Sequence, residues 1–247
     1  MNKKQIKWTS TCKRFVAYLD IMGFQDMVFR ESHEEVLETM EKFRLPIKKL
    51  KKEAKERLQG SASGWDLFEN TVIKPVIFSD SVLLFSSDDS LGSVENIVWQ
   101  VRSVLSHALL NGIPIKGAIA YGEQTADFGK SLYFGKPLID AWELQKELII
   151  YGVVLHHTIE KYIVKNEWME ELLDGSSIIK YPTPLKQGII THYLVDWLEL
   201  TMKASPKKAI KLKNSIPDLY CKVSGSARRY VDNTMSFVNW KEQNNIN

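Results

Sequence analysis

The chain has 247 residues, 44% hydrophobic and 11% aromatic, which is ample for a folded core and excludes a disordered chain. Lys plus Arg (33) nearly balance Asp plus Glu (30), so the formal charge of +3 gives no global reason to expect nucleic acid. Cys12 and Cys221 lie too far apart for a metal-spacing motif or a disulfide framework, and no apolar run approaches a membrane span, so a cytoplasmic protein with no membrane partner is expected.

In chain order, residues 14–20 run apolar through Phe15, Val16, Tyr18 and Leu19, which predicts a buried strand ending at Asp20, with Gly23 allowing the turn. Ser32 with Glu35 three residues on reads as a helix start near His33, and Val36, Leu37, Met40 and Phe43 follow at helical spacing. Pro46 is expected to kink or divide this helix, and the charged residues 48–57 with the breaker 60–64 read as a mobile loop. Residues 72–79 and 81–85 read as a tight hairpin or one bent strand, and either places Asp80 at a reversal or kink. After Asp88, Asp89 and Ser90, a stripe from Val94 to Leu109 predicts a helix ended by Asn111-Gly112. Residues 113–121 form the next predicted strand, 137–148 a helix entered through Gly135, and 151–155 another strand. Further on, 187–197 reads as a strand, and 209–213 and 228–237 as helices.

This order predicts an α/β (α+β sandwich) fold with helices on one face of a mixed sheet. Residues 1–165 are expected to form the core, and 166–247 a strand and helical extension packed on it.

Two features carry chemistry. Asp20 and Asp80 each set a carboxylate at a bend in an otherwise apolar strand, where an isolated charge is costly unless solvated, paired or bound to a cation. The pair invites a shared metal, whereas a helix cap is the plainer role for Asp20 alone. Asp26, Asp88 and Asp89 read as solvated turn or helix-start residues. His156 and His157, adjacent on a strand, should point to opposite faces, and His107 and His192 read as hydrogen-bonded core or boundary residues. Trp99 and Trp142 read as packing anchors, and Tyr121 and Phe134 as better candidates for base contact. The basic runs 48–52 and 207–213 read as solvated helix faces rather than a nucleic-acid surface.

At these residues the chain resembles the class III nucleotidyl cyclases, in which a strand ends in Asp-Ile-x-Gly-Phe and a later hairpin supplies a second aspartate. The matching residues are Asp20-Ile21-Met22-Gly23-Phe24 and Asp80 within Phe78-Ser79-Asp80-Ser81. Residues 116–122 and 133–141 resemble the family's later strand and glycine-led helix. The resemblance covers roughly residues 14–155 and implies a ferredoxin-type core. It implies Mg2+ or Mn2+ held by Asp20, Asp80 and the backbone of Ile21, with Asp20 and Asp80 catalytic. It implies nucleotide contacts at Met22, Gly23, Phe24, Gln25, Ser79, Lys116 and Lys136. It further implies a nucleoside triphosphate substrate, a 3′,5′-cyclic nucleotide and pyrophosphate as products, and a homodimer whose interface completes the site.

The departures are as specific as the matches. Val76 and Leu132 occupy positions where purine cyclases carry their base-selecting lysine and aspartate, and Ile139 and Glu143 stand where an asparagine and an arginine act on ribose and transition state. A glutamate cannot replace an arginine beside developing negative charge, so either another cation such as Lys116 or Lys136 takes over or the chain is an inactive cyclase-fold binding protein. A different phosphoryl-transfer enzyme on a palm-like core is a third reading. Loss of the purine selectors is shared with the pyrimidine cyclases of bacterial antiphage defence, called Pycsar, which implies UTP or CTP and an antiphage role. The chain is also similar, and more closely, to a group of bacterial cyclase-like proteins without an assigned activity that carry the Asp-Ile-x-Gly-Phe and Phe-Ser-Asp-Ser pieces and a motif like Ala141-Trp142-Glu143-Leu144.

Overall fold

The computed structural model describes residues 6–58, 70–175, 177–199 and 206–244. The apolar run of the first predicted strand becomes β1 (Thr11–Ile21), where Phe15, Val16, Ala17 and Leu19 are all fully buried. β1 lies between two antiparallel neighbours, β3 (Ser81–Ser86) and β4 (Ile115–Asp127), and β2 (Ile73–Phe78) pairs with the outer side of β3. The expected hairpin is therefore real: Phe78 pairs with Ser81, leaving Ser79 and Asp80 as its two-residue turn. β5 (Leu132–Gly135) folds back on the end of β4, and β6 (Val153–Leu155) runs parallel to the start of β4. With β7 (Ile178–Leu185) and β8 (Gly188–Val195), the described strands form one eight-stranded mixed sheet in the order β2-β3-β1-β4-β6-β8-β7, with β5 attached to β4.

Eight α-helices are described: α1 (Phe24–Arg30), α2 (His33–Leu58), α3 (Leu91–Leu110), α4 (Lys136–Glu147), α5 (His157–Lys165), α6 (Met169–Asp174), α7 (Pro206–Ser215) and α8 (Arg228–Asn244). The larger core joins Phe15, Ala17 and Leu19 of β1 to Phe43 and Ile47 of α2 and the apolar stripe of α3. A smaller cluster on the other side of β1 gathers Val16, Phe85 and Ala126 with Trp8, Phe128 and Tyr133. β1 and β4 approach so closely that a Cβ on Gly117 would lie 2.3 Å from the Tyr18 carbonyl oxygen. Only glycine fits there.

Helix α2 differs from its expectation. It runs unbroken through Pro46 to Leu58, because Phe43, Ile47, Leu50 and Ala54 keep one face buried while the charged residues occupy the other. Pro46 has no N–H for the Lys42 carbonyl, and His107 of α3 takes that partner's place with Nε2 at 3.0 Å. Helical packing thus overrides the loop reading of residues 48–57, and residues 59–69 lie outside the described part.

Three other readings are corrected. β6 stops at Leu155 and His156 caps α5, so the two histidine rings lie 4.0 Å apart instead of on opposite faces. Trp99 and Trp142 are 36% and 42% exposed; Trp142 lies beneath the Lys146 ammonium, 3.7 Å away, rather than in the core. Asp89 is not simply solvated, since it accepts hydrogen bonds from the Tyr121 and Tyr162 hydroxyls at 2.9 and 3.0 Å.

Beyond residue 165 the chain extends the same sheet. Val154 of β6 pairs with Leu194 of β8, and β7, which periodicity did not reveal, pairs with β8 along its whole length. α8 is held by Phe237 and Val238 and by buried Lys241, which reaches Asp196 at 2.7 Å and Glu199 at 3.2 Å. No helix among the described residues is long and apolar enough to cross a membrane.

Candidate active site

Asp20 sits where β1 gives out, with Ser81 of β3 opposite on one side and Lys116 of β4 on the other. The Ser81 hydroxyl donates to Asp20 Oδ1 at 3.3 Å and is itself 2.7 Å from the Tyr18 hydroxyl, so a short polar chain orients the carboxylate. Immediately after it, the Ile21 N–H donates to the Asp80 carbonyl at 3.1 Å. That bond ties the β2–β3 turn to the end of β1 and brings the two aspartates together from 60 positions apart in sequence. The Met22 N–H donates to the Pro114 carbonyl at 2.8 Å, and Gly23, at φ 71°, then turns the chain into α1. A positive φ of this kind favours glycine.

The turn and the two aspartates open on a cleft of about 370 Å³. Asp20, Ile21, Met22, Gly23, Phe24, Gln25, Asp80 and Lys116 all border it, so most of the residues singled out by sequence share one space. Ser79 adjoins Asp80 in the exposed turn but is not part of the lining, and holds φ 53°, an uncommon conformation outside glycine. Lys136 lies elsewhere. It starts α4, is paired with Asp140 at 2.8 Å, and borders a separate cavity with Tyr121 and Phe134.

Four lining residues escaped the sequence reading: Gln145 and Lys146 of α4, Lys186 of the β7–β8 turn, and Tyr230 of α8. Nothing local marks them, because each reaches the cleft only once α4 and the C-terminal third are packed. Of the three lysines in the lining, Lys146 is engaged with Glu143 at 3.1 Å and with the Trp142 ring. Lys116 is 6% exposed and lies 5.6 Å from the Tyr230 ring.

The electrostatics follow from crowding. Burial, and then the charge of Asp80, push Asp20 up to about 6, with Lys116 and the Ser81 hydrogen bond only partly opposing them. Burial pulls Lys116 down to about 8, partly offset by Asp20, and the nearby Lys186 charge adds to the depression. Like charges are therefore held near one another on both sides of the cleft, an arrangement that a metal–anion complex would relieve.

No family model and no curated protein matches the chain. Solved structures do. The catalytic core of a rhodopsin-guanylyl cyclase with converted specificity, in complex with ATPαS, matches with a TM-score of 0.51 at 14% identity, covering 76% of this chain and 98% of that one. The fold is that of a class III nucleotidyl cyclase catalytic domain. A class III adenylyl cyclase-like ATP-binding protein from Pseudomonas aeruginosa (TM-score 0.43, 15% identity, 62% of this chain and 35% of that one) is also found. So is a further guanylyl cyclase (TM-score 0.43, 11% identity, 77% and 93%).

On this cyclase fold the donor set suits a hard divalent cation. Two carboxylates, one at the end of β1 and one in the β2–β3 turn, offer oxygen ligands of the kind that suit Mg2+ and Mn2+. Among the described residues no group of three or more His, Cys, Asp or Glu could enclose an ion. Mg2+ is commonly bound by one or two carboxylates with substrate phosphates completing the shell, and the open cleft fits that mode.

Proposed function

We propose that the protein is a metal-dependent nucleotidyl cyclase that converts a nucleoside triphosphate to its 3′,5′-cyclic monophosphate and pyrophosphate. The observation that carries this reading is the joining of Asp20 and Asp80 through the Ile21–Asp80 hydrogen bond at the mouth of a cleft that also bears lysines, on a cyclase fold. Asp20, Asp80 and the backbone of Ile21 hold Mg2+ or Mn2+. When bound, the cation acidifies the ribose 3′-hydroxyl and offsets charge on the departing pyrophosphate. The Tyr18–Ser81–Asp20 chain keeps the Asp20 carboxylate aimed, and the Met22–Gln25 turn and Lys116 contact the phosphates. With its pKa near 8, Lys116 carries its charge at neutral pH.

The base is a pyrimidine in this proposal. Val76 and 47%-exposed Leu132, at the positions where the resemblance puts purine selectors, have no polar group to read a purine edge. UTP or CTP is accordingly the substrate, with antiphage signalling as the role and a homodimer as the working form. We take residues 1–165 as the catalytic core and 166–247 as an extension of it.

One observation favours a second reading, a nucleotide-binding protein without turnover. Glu143, at the position of the family's arginine, is committed to Lys146, and Ile139 is 58% exposed with no polar group to offer. Incubation with ATP, GTP, CTP or UTP and Mn2+ or Mg2+, with products resolved by mass spectrometry, separates the two. A cyclic pyrimidine mononucleotide is expected; no cyclic product from any of the four would leave the binding protein.

A further inference from the structure

Helix α1 continues the carboxylate turn yet has no buried residue of its own, and its Val28 and Phe29 are 48% and 79% exposed. Against it lies a second cavity of about 440 Å³, bordered also by Thr39 of α2, by residues 111–114 and by segments of the C-terminal third between Leu219 and Tyr230. Small-molecule sites typically enclose about 300–1,000 Å³. Neither Asp20, Asp80 nor any of the three cleft lysines borders this cavity, whereas Ile21, Met22, Gly23, Asp26 and Tyr230 border both spaces. The turn that carries the carboxylate site is thus the wall between them.

Tyr151 is 2% exposed and borders this second cavity. Its hydroxyl makes no hydrogen bond with a described residue and is not among the side-chain atoms that are both sealed and unpaired, so it opens on the cavity. Burial, with Tyr230 adding to the effect, raises its pKa to about 12, and the group is a proton donor at neutral pH. An unpaired donor in a buried residue calls for an acceptor. The Tyr151 ring stacks on Tyr230 with centroids 5.8 Å apart and planes at 22°, an arrangement that a flat ring system can extend. Met22, Met27, Ile113, Leu219 and Val223 supply apolar walls, in which the two methionines can adapt to a guest. The charges at the rim cancel: Asp26 and Glu31 stand against Lys222 and Arg30, and Arg30 already donates to the Asp26 and Lys222 carbonyls, each at 3.2 Å. An ion therefore finds no net field to draw it in.

We propose that this cavity is a site for an uncharged, planar molecule carrying a hydrogen-bond acceptor, which meets the Tyr151 hydroxyl, and that its occupancy favours metal and nucleotide binding across the shared turn. A guest gives α1 the packing it lacks and holds residues 21–26 in place before cation and phosphates arrive. By linkage, the nucleotide tightens the guest to the same degree. The site itself is independent of the nucleotide reading of the cleft; the coupling rests on that reading.

Quinoline is the probe, being planar, uncharged at pH 7.5 and equipped with one acceptor nitrogen. It is titrated into the full chain labelled with 13C-methyl methionine. The Met27 methyl, which borders this cavity and not the cleft, is expected to shift, while Met169 and Met235 stay. Tyr151→Phe removes only the hydroxyl and should weaken quinoline about fivefold. It should leave the ligand-free melting temperature unchanged or raised, since no bond is lost. A Met27 signal indifferent to quinoline, equal affinity in Tyr151→Phe, or a lowered melting temperature in that variant would each overturn the site.

The coupling is read by calorimetry of a non-cleavable UTP analogue with Mn2+. Saturating quinoline should tighten the nucleotide about fivefold, and unchanged or weakened binding would overturn the coupling. Ala227→Phe places a ring in the cavity from the turn just before α8, and should abolish the quinoline response and tighten the nucleotide without it. If thermal melts show that this variant fails to fold, Thr39→Phe from α2 replaces it. A chain that takes quinoline at Met27 but binds no triphosphate defeats the nucleotide reading alone; one that binds triphosphate and ignores quinoline defeats this inference alone.

Discussion

The carboxylate side of the cleft comes from two short contiguous stretches, residues 20–26 and the turn holding Asp80, while the lysine side is gathered from β4, α4 and the β7–β8 turn. On the first side, local backbone geometry does most of the positioning: a strand ends, one backbone hydrogen bond ties in a hairpin, and Gly23 turns the chain. On the second, position depends on tertiary packing, since Lys186 reaches the cleft only because the β7–β8 hairpin is bonded to the end of α4. The first arrangement can be carried by a motif. The second can change with every rearrangement of the C-terminal third.

Substitutions on the carboxylate side should break this comparison most severely. Asp20→Asn or Asp80→Asn should each lower cyclic-nucleotide formation by at least about 100-fold, measured as product per minute at saturating Mn2+, because one ligand of a shared cation is lost. A loss of less than tenfold in either would mean that the two carboxylates do not act as a unit. Gly117→Ala tests the strand contact that sets Asp20 beside Lys116. With 2.3 Å available to the new Cβ, it should cost about 2–3 kcal/mol in urea unfolding.

A smaller effect has the opposite sign. Asp20 ionises near 3.8 in the unfolded chain and near 6 in the folded one, so the folded state holds more protons between those values and stability falls as pH rises through that window. Discounted for the solvent that reaches this half-buried group, the penalty above pH 6 is about 1 kcal/mol. Asp20→Asn should therefore raise the metal-free melting temperature at pH 7.5 and leave it unchanged near pH 3.5, although it abolishes activity. Equal melting at both pH values would show that the carboxylate is not crowded. Lys136→Ala should have the least effect: its partner is Asp140 and it lies outside the cleft, so nucleotide affinity should stay within about twofold.

The same contrast explains how much could be read from residues alone. The β1 strand, the β2–β3 hairpin and α3 follow from apolar periodicity interrupted by single polar residues and glycine, and these signals are local, whereas the Asp20–Asp80 association is what the resemblance to the cyclases implies. Helix α2 starts at His33 as expected, but its continuation past Pro46 is not legible in the sequence, because the proline and the lysine run look unfavourable in isolation. The burial of Ile47, Leu50 and Ala54, and the His107 bond to Lys42, are tertiary compensations. β7 carries Pro182 and Pro184, which argue against a central strand, and it proves to be the outermost strand of the sheet, where proline is tolerated. Tyr121, a candidate for base contact by sequence, stacks on Tyr162 at 3.9 Å and hydrogen-bonds Asp89, neither of which its local sequence shows. Gln145 and Lys186 carry no motif; their place in the cleft lining depends on which helix end and which hairpin meet.

The most direct test of the central claim is Mn2+ binding, followed by electron paramagnetic resonance in the presence of a non-cleavable nucleoside triphosphate analogue. The account predicts that the wild-type chain immobilises Mn2+ only together with the nucleotide and that Asp20→Asn and Asp80→Asn each abolish the bound signal. An unchanged bound signal in either variant would contradict a cation shared between the two carboxylates.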